Sequence, residues 1–256
     1  DALPICMGER FRVRRSLTFW LQFILMFSIM SIVYVIVNGV NSNEFIPVGS
    51  GIPGKKEGKR MSEWIKVAVD AMGGDYAPKE PVKGAVEAVN EKEELFIYLV
   101  GQEAAIQKEL EQYTYPKDRI QVVAAEEVIE TGEPPVQAIQ KKKDSSMVKA
   151  LRLVRQGEAS AFVSCGSTGA VLVGGQVLVG KIKGVERAPL APLIPTVDGV
   201  SLLIDCGANV DARASHLVQF ARMGSIYMEH VVGIPNPRVA IVNIGAEEEK
   251  GNALVK

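Results

Sequence analysis

The chain has 256 residues, a net charge of −1 and 47% hydrophobic residues, enough for one sizeable core or two modest ones and no electrostatic basis for non-specific nucleic-acid binding. Its three cysteines, Cys6, Cys165 and Cys206, form no CxxC, and its two histidines, His216 and His230, lack HExxH spacing. That removes the common zinc and redox motifs and points to a reducing compartment.

Residues 1–60 read differently from the rest. The run "LTFWLQFILMFSIMSIVYVIVNGV", Leu17 to Val40, carries no charge and follows Arg10, Arg12, Arg14 and Arg15. Taken literally it is a membrane anchor with a cytoplasmic N-terminus, followed by the linker "PVGSGIPGKKEGKR". The reading adopted is different. The chain opens on Asp1, and the codons of Lys56-Glu57-Gly58 can spell AAGGAGG, a bacterial ribosome-binding sequence, just before Met61. Met61 is then the expected start and 1–60 translated upstream DNA. Codons in the nucleotide sequence that do not spell such a site would remove this hypothesis.

After Met61 apolar runs alternate with helical patterns. The expected strands are Ile65–Asp70, Leu95–Val100, Ile120–Ala124, Ala161–Cys165, Ser201–Asp205 and Val239–Ile244. Most are near-continuous apolar runs, as strands buried on both faces require. Between them the expected helices are Lys79–Asn90, Glu103–Gln112, Pro135–Lys142, Ser146–Gln156, Thr168–Ile182 and Ser215–Val232. The alternation predicts an α/β fold with a largely parallel sheet. The sequence ends at "NIGAEEEKGNALVK", where a strand closes and a helix opens; a chain truncated at its C-terminus is expected.

Four expected strands run into Gly-containing polar loops: "DAMGGD" (70–75), "CGSTGA" (165–170), "DCGANVD" (205–211) and "NIGAEEEKGN" (243–252). Parallel sheets bind ligands outside the carboxyl ends of their strands, so all four are expected on one edge, around a site. "CGSTGA" leads into a helix, whose free N–H groups and dipole favour an anion, although Ser167 also serves as a plain N-cap. Asp70, Asp75, Asp205 and Asp211 either gather around a hard cation or cap helices and hold loop N–H groups. Cys165 and Cys206 are read as small buried residues rather than nucleophiles. His216, at a helix start, is an acid, a base, an oxyanion donor or a cap, and His230 is structural. Lys141, Lys142, Lys143, Lys149 and Arg152 form a solvated basic face, an acidic partner's surface or the rim of an anion site. "GQVLVGKI" (175–182) nearly spells a Walker A loop, but Ile182 replaces the Ser/Thr and the stretch lies in a helix; no GxGxxG follows the first strand.

From Met61 onward the chain resembles the PlsX family, the bacterial phosphate acyltransferases of phospholipid synthesis. The resemblance rests on "VAVDAMGGD", "KKKDSSMVKA", "CGSTGA" followed by "VGKIKGVERAPLAPLIPT", "DCGANVDA" with "HLVQFARMGS", and "NIGAEEEKGN". It implies transfer of a long-chain acyl group from acyl carrier protein to inorganic phosphate, without a cofactor. The product, acyl-phosphate, feeds a downstream acyl-phosphate acyltransferase. It also implies a three-layer αβα sandwich related to phosphotransacetylases and isocitrate/isopropylmalate dehydrogenases, a homodimer, and peripheral contact with the cytoplasmic membrane face. Because phosphate is the nucleophile, the protein needs only to hold an anion beside a thioester, exclude water and stabilise an oxyanion.

On this resemblance Ser167, Thr168 and Gly169, with Gly73, Gly74, Lys183 and Arg187, contact phosphate or the oxyanion. Asn209, Lys250 and His216 take catalytic roles, His216 protonating the leaving thiolate. Asp70, Asp75, Asp205 and Asp211 position loops, and no catalytic metal is expected. The chain departs from the family in carrying Ser167 where Asn is usual, and Cys165 and Cys206 are not family hallmarks. The family continues past Lys256 with further sheet, dimer contacts and apolar membrane-contacting helices. Three other readings stay open: a coenzyme-A-linked phosphate acyltransferase, a non-catalytic binding module anchored by Leu17–Val40, and a dehydrogenase of the related fold.

Overall fold

The computed structural model describes residues 34–37, 64–197, 199–245 and 250–254. The region around Met61, the "KKEGKR" stretch and most of the 17–40 run lie outside the described residues. The Tyr34–Val37 part of that run forms strand β1. Among the described residues no helix is long and apolar enough to cross a membrane.

The apolar runs become strands β2 (Ile65–Asp70), β3 (Leu95–Gly101), β4 (Ile120–Ala124) and β5 (Ala161–Ser164). They are parallel to one another, in the order β5-β2-β3-β4, with β1 antiparallel on the outer edge of β5. Register explains why these strands are apolar on both faces. Ala68 lies beside Tyr98 and Phe162, and Val69 beside Leu99 and Val163. Successive residues point to opposite sides, so the first row meets one helical layer and the second row the other.

The layer over Val67, Ile97, Leu99 and Val163 is made by α1 (Lys79–Glu91) and α2 (Glu103–Leu110), through Val82, Val86, Val89 and Ile106. The opposite layer, over Ala68, Val100 and Phe162, holds α3 (Pro135–Lys141), α4 (Ser146–Gln156) and α5 (Thr168–Gly174). Ile139, Met147, Leu151 and Val171 fill that core. Local chemistry sets the helix ends. Pro135 occupies the first position of α3, where no intrahelical N–H is lost. Ser145 caps α4 by accepting the Val148 N–H, and Gly157, at φ +77°, ends it. The result is the α/β sandwich expected from the alternation.

Three expected elements differ. The helix expected over Thr168–Ile182 is α5 plus a π-helical turn over Gly175–Val179, and it stops at Gly180. The strand expected over Ser201–Asp205 is β7 (Gly199–Leu202), paired antiparallel with β6 (Leu193–Thr196) in a separate ribbon. A parallel strand needs a crossover of a dozen or more residues, usually helical. The connection into this ribbon contains Gly184, Pro189 and Pro192, so it folds back on itself locally. Residues 239–244 form no strand; Val242 and Ile244 are exposed, and among the described residues no strand pairs with them. Beyond the ribbon, α6 (Ala214–Tyr227) runs into a π-helical turn over Met228–Val232.

Candidate functional site

The chain runs outward from β2 through β3 to β4, then returns to the opposite side of β2 to form β5. The strand order therefore reverses between β2 and β5. In open α/β sheets the crevice at the carboxyl ends of such a pair is where ligands bind. The loops leaving these two strands are "DAMGGD" and "CGSTGA".

Their glycines let the two loops close on each other. A Cβ at Gly73 would lie 2.7 Å from Asp70 Oδ2, 2.8 Å from Ser164 Oγ and 2.9 Å from the Gly166 amide nitrogen. A Cβ at Gly74, whose φ is +103°, would lie 3.0 Å from Cys165 Cβ. The space these residues leave is thus used between loops. At the start of α5, Ser167 Oγ accepts the Ala170 N–H at 3.4 Å. Gly169, at the second helical position, has no intrahelical acceptor for its N–H. It also packs closely on α3, since its Cβ would lie 2.6 Å from Pro135 Cγ.

Behind the loops lies a buried polar cluster. Asp70, Ser145, Ser146, Ser164 and Ser167 are each at most 5% exposed. Asp70 Oδ2 accepts the Ser164 hydroxyl at 2.8 Å, Oδ1 accepts the Met72 N–H at 3.2 Å, and Ser146 and the Gly73 N–H also hydrogen-bond the carboxylate. Ser164 Oγ in turn accepts the Gly166 N–H at 3.0 Å. Ser164 lies outside the quoted motifs, and Ser146 sits in "KKKDSSMVKA" without having been assigned a role there. The signals that find them are a hydroxyl closing an otherwise apolar strand and a serine pair opening a helix.

Burial raises the Asp70 carboxyl above its ordinary 3.8, against the pull of the Ser146, Ser164, Met72 and Gly73 hydrogen bonds. The folded chain therefore holds this proton more tightly than the unfolded chain. Asp70's contribution to stability is then fully present below about pH 4, the unfolded range, and is lost as pH rises through the folded value. Urea unfolding of wild type and Asp70→Asn between pH 4 and 8 checks this. The stability of wild type relative to the variant is expected to fall with rising pH; a pH-independent difference would refute the shift.

Cys165 is no nucleophile at neutral pH. Burial, and then the Asp70 charge, push its thiol up to about 11. It sits at the rim of an apolar pocket of about 620 Å³, counting the part open to solvent, between α1 and the Val67, Val69 and Val163 face of the sheet.

The remaining expected residues fall elsewhere. Asp205 accepts the N–H groups of Leu190 (2.8 Å), Ala208 (3.2 Å) and Asn209 (2.7 Å) and the Asn209 side-chain amide (2.9 Å). Asn209 Nδ2 also donates to the Ala188 carbonyl at 3.1 Å, and its Oδ1 receives Arg187 Nη1 at 3.5 Å. The carboxylate and the amide together tie the 187–190 segment to "DCGANVD". His216 is 4% exposed; its Nδ1 accepts the Arg213 N–H at 3.1 Å. The ring proton is thus on Nε2, which faces the Glu186 carboxylate at 3.0 Å. Both ring nitrogens are engaged in fixing the start of α6 and the 186 segment. Glu186 and Gln219, which also bond each other (3.1 Å), complete this clamp and were not singled out from sequence. Asp75, Lys183, Asp211 and Lys250 are exposed. Among the described residues no group of three or more His, Cys, Asp and Glu gathers as a metal site.

The basic stretch is partly committed inside the protein. Lys142 Nζ reaches the Val128 carbonyl at 2.6 Å and pairs with Glu133, holding that carboxyl below its usual range by its hydrogen bond. Lys149 pairs with Asp144, lowering it likewise, and donates to the Ala124 carbonyl at 2.7 Å.

Residues 65–256 match the profile of the family described as fatty acid synthesis protein. A phosphate acyltransferase of Clostridium botulinum (strain Loch Maree / Type A3) is 52% identical over 190 residues, which are 74% of this chain and 57% of that one. A phosphate acyltransferase of Clostridium perfringens (strain ATCC 13124) is 50% identical over 192 residues, 75% and 57% of the two chains. The chain thus spans a little over half the length of these curated relatives. Among solved structures, the EutD phosphotransacetylase of Staphylococcus aureus superposes with a TM-score of 0.50 at 14% identity, covering 73% of this chain and 60% of that one. That likeness concerns the fold.

Proposed function

The chain belongs to the PlsX family of phosphate acyltransferases, and we propose that it serves the transfer of a fatty acyl group from acyl-acyl carrier protein to inorganic phosphate, giving acyl-phosphate for phosphatidic acid synthesis. The observation that carries this reading is the pairing of "DAMGGD" with "CGSTGA" at the reversal of strand order. It presents the first turn of α5 at the mouth of the crevice.

In this reading a phosphate oxygen attacks the thioester carbonyl. The tetrahedral oxyanion forms, the C–S bond breaks as the carbonyl returns, and the thiolate leaves and takes a proton. The Gly169 amide and the Ser167 and Thr168 groups at the start of α5 hold the anion, and aimed N–H groups of this kind stabilise a developing oxyanion. Arg187 and Lys183, both exposed, supply positive charge from the 180–190 connection. His216, whose Nε2 proton faces Glu186, is the group that protonates the leaving thiolate in this reading. The chain works as a homodimer at the cytoplasmic face of the membrane, in peripheral contact with it, and passes acyl-phosphate to a downstream acyltransferase.

Thr168→Val tests the assignment. We expect the apparent KM for phosphate to rise roughly tenfold or more, the scale of a hydrogen bond to a charged group, with the KM for acyl donor little changed. Unchanged phosphate kinetics would remove this loop as the site. Running the assay with acyl-acyl carrier protein and acyl-coenzyme A identifies the donor.

A further inference from the structure

Three motifs separated in sequence, "DAMGGD", "KKKDSSMVKA" and "CGSTGA", meet at one buried carboxylate. Asp70 ends β2, Ser146 opens α4, and Ser164 ends β5 just before the glycine loop. The second of these motifs has no part in the chemistry outlined above. We propose that Ser164 and Ser146 are positioning residues that act through Asp70: the carboxylate fixes the direction of the Ser164 hydroxyl, and the hydroxyl fixes the Gly166 peptide from which the anion-holding turn departs.

The hydrogen-bond directions carry the argument. Ser164 donates its hydroxyl proton to Asp70 Oδ2 at 2.8 Å. With its proton committed, Ser164 Oγ has only lone pairs left for its second neighbour. That neighbour is the Gly166 N–H, a donor, at 3.0 Å. The next residues along are Ser167 to Gly169, so the orientation of the Gly166 peptide sets how the following amides face the crevice. The Ser146 hydroxyl and the α4 N-terminus supply Asp70 with a further donor and the positive end of a helix dipole. An Asn at position 70 cannot do the same. Its NH2 group would face either the Met72 N–H or the Ser164 hydroxyl; in the second case the hydroxyl proton turns onto the Gly166 N–H. Each arrangement sets a donor against a donor. Gly166 is closely surrounded: a Cβ there would lie 3.2 Å from Met147 Cε and from Ser164 Oγ and 3.4 Å from Gly73 Cα.

This inference rests on the phosphate reading of the loop, and its test separates the two. Inorganic phosphate is titrated into the full chain and binding is read by phosphorus NMR, with thermal melting on the same samples. Ser164→Ala is expected to weaken phosphate binding roughly tenfold. The double variant Asp70→Asn/Ser164→Ala should bind about as weakly as Ser164→Ala alone, because both changes break one relay. Should Ser164→Ala not fold, Ser146→Ala, which leaves the Ser145 cap in place, is expected to weaken binding severalfold. Wild type that binds no phosphate overturns the reading of the loop, and the relay with it. Wild type that binds phosphate, with a folded Ser164→Ala or Ser146→Ala variant binding equally well, overturns the relay alone. Independent, multiplicative losses in the double variant overturn it too.

Discussion

Gly73→Ala is expected to destabilise the protein by about 3 kcal/mol and to abolish phosphate binding, combining the cost of overpacking with that of breaking buried hydrogen bonds. The new methyl group has nowhere to go. Two of the atoms it meets, Asp70 Oδ2 and Ser164 Oγ, are hydrogen-bonded to each other, and the third is the backbone nitrogen of Gly166. Gly174→Ala is the informative contrast. Its Cβ would approach Leu151 Cδ1 to 2.5 Å, but that is the end of a flexible side chain and can move. Chemical denaturation of the two variants, with phosphate titration on each, measures both effects. A Gly73→Ala variant as stable as Gly174→Ala and still binding phosphate would show that the loops are free to separate.

Phe162→Ala is expected to cost about 3–5 kcal/mol, a large part of the 5–15 kcal/mol that holds a domain together. Phe162 is fully buried in the α3–α4–α5 layer and lies beside Ala68 in the register of β2 and β5. It is two residues from Ser164, so a cavity there loosens the strand from which the glycine loop departs. Urea unfolding gives the stability change. A loss below about 1 kcal/mol would mean that the layer closes over the void, as the best-relaxing sites do.

The parts of this molecule that were legible in its sequence are those fixed by local chemistry. β2 and β4 fall at the expected residues and β3 and β5 within one, because each is a mostly apolar run and three of them close on Asp70, Gly101 or Ser164. α4 was marked at both ends, by Ser145 and Gly157. The β6–β7 ribbon was missed because Pro189 and Pro192 deny the crossover helix that a parallel strand requires. The 205–211 loop thereby lost its place on the parallel sheet, and the 243–252 loop follows a segment, 239–244, that forms no strand. At the site, "DAMGGD" and "CGSTGA" could be paired from the rule for strand ends, yet the partner of Gly73 could not. Its neighbours are 91 and 93 positions away at Ser164 and Gly166, and sequence spacing holds no record of that distance. His216 likewise announces itself by position in its helix, whereas the proton's direction depends on Glu186, 30 residues earlier.

The buried carboxylate behind the glycine loop also bears on nucleophilicity. For the proposed reaction phosphate must attack, so an anion cradle of unopposed positive charge would bind it deeply and blunt its lone pairs. Binding energy spent on the ground state does not lower the barrier. Asp70 stands close to the starts of α4 and α5 and, when ionised, offsets part of their pull. Under the proposed function, such a cradle orients phosphate through hydrogen-bond geometry more than through charge, which leaves the oxygen proposed to attack the thioester electron-rich.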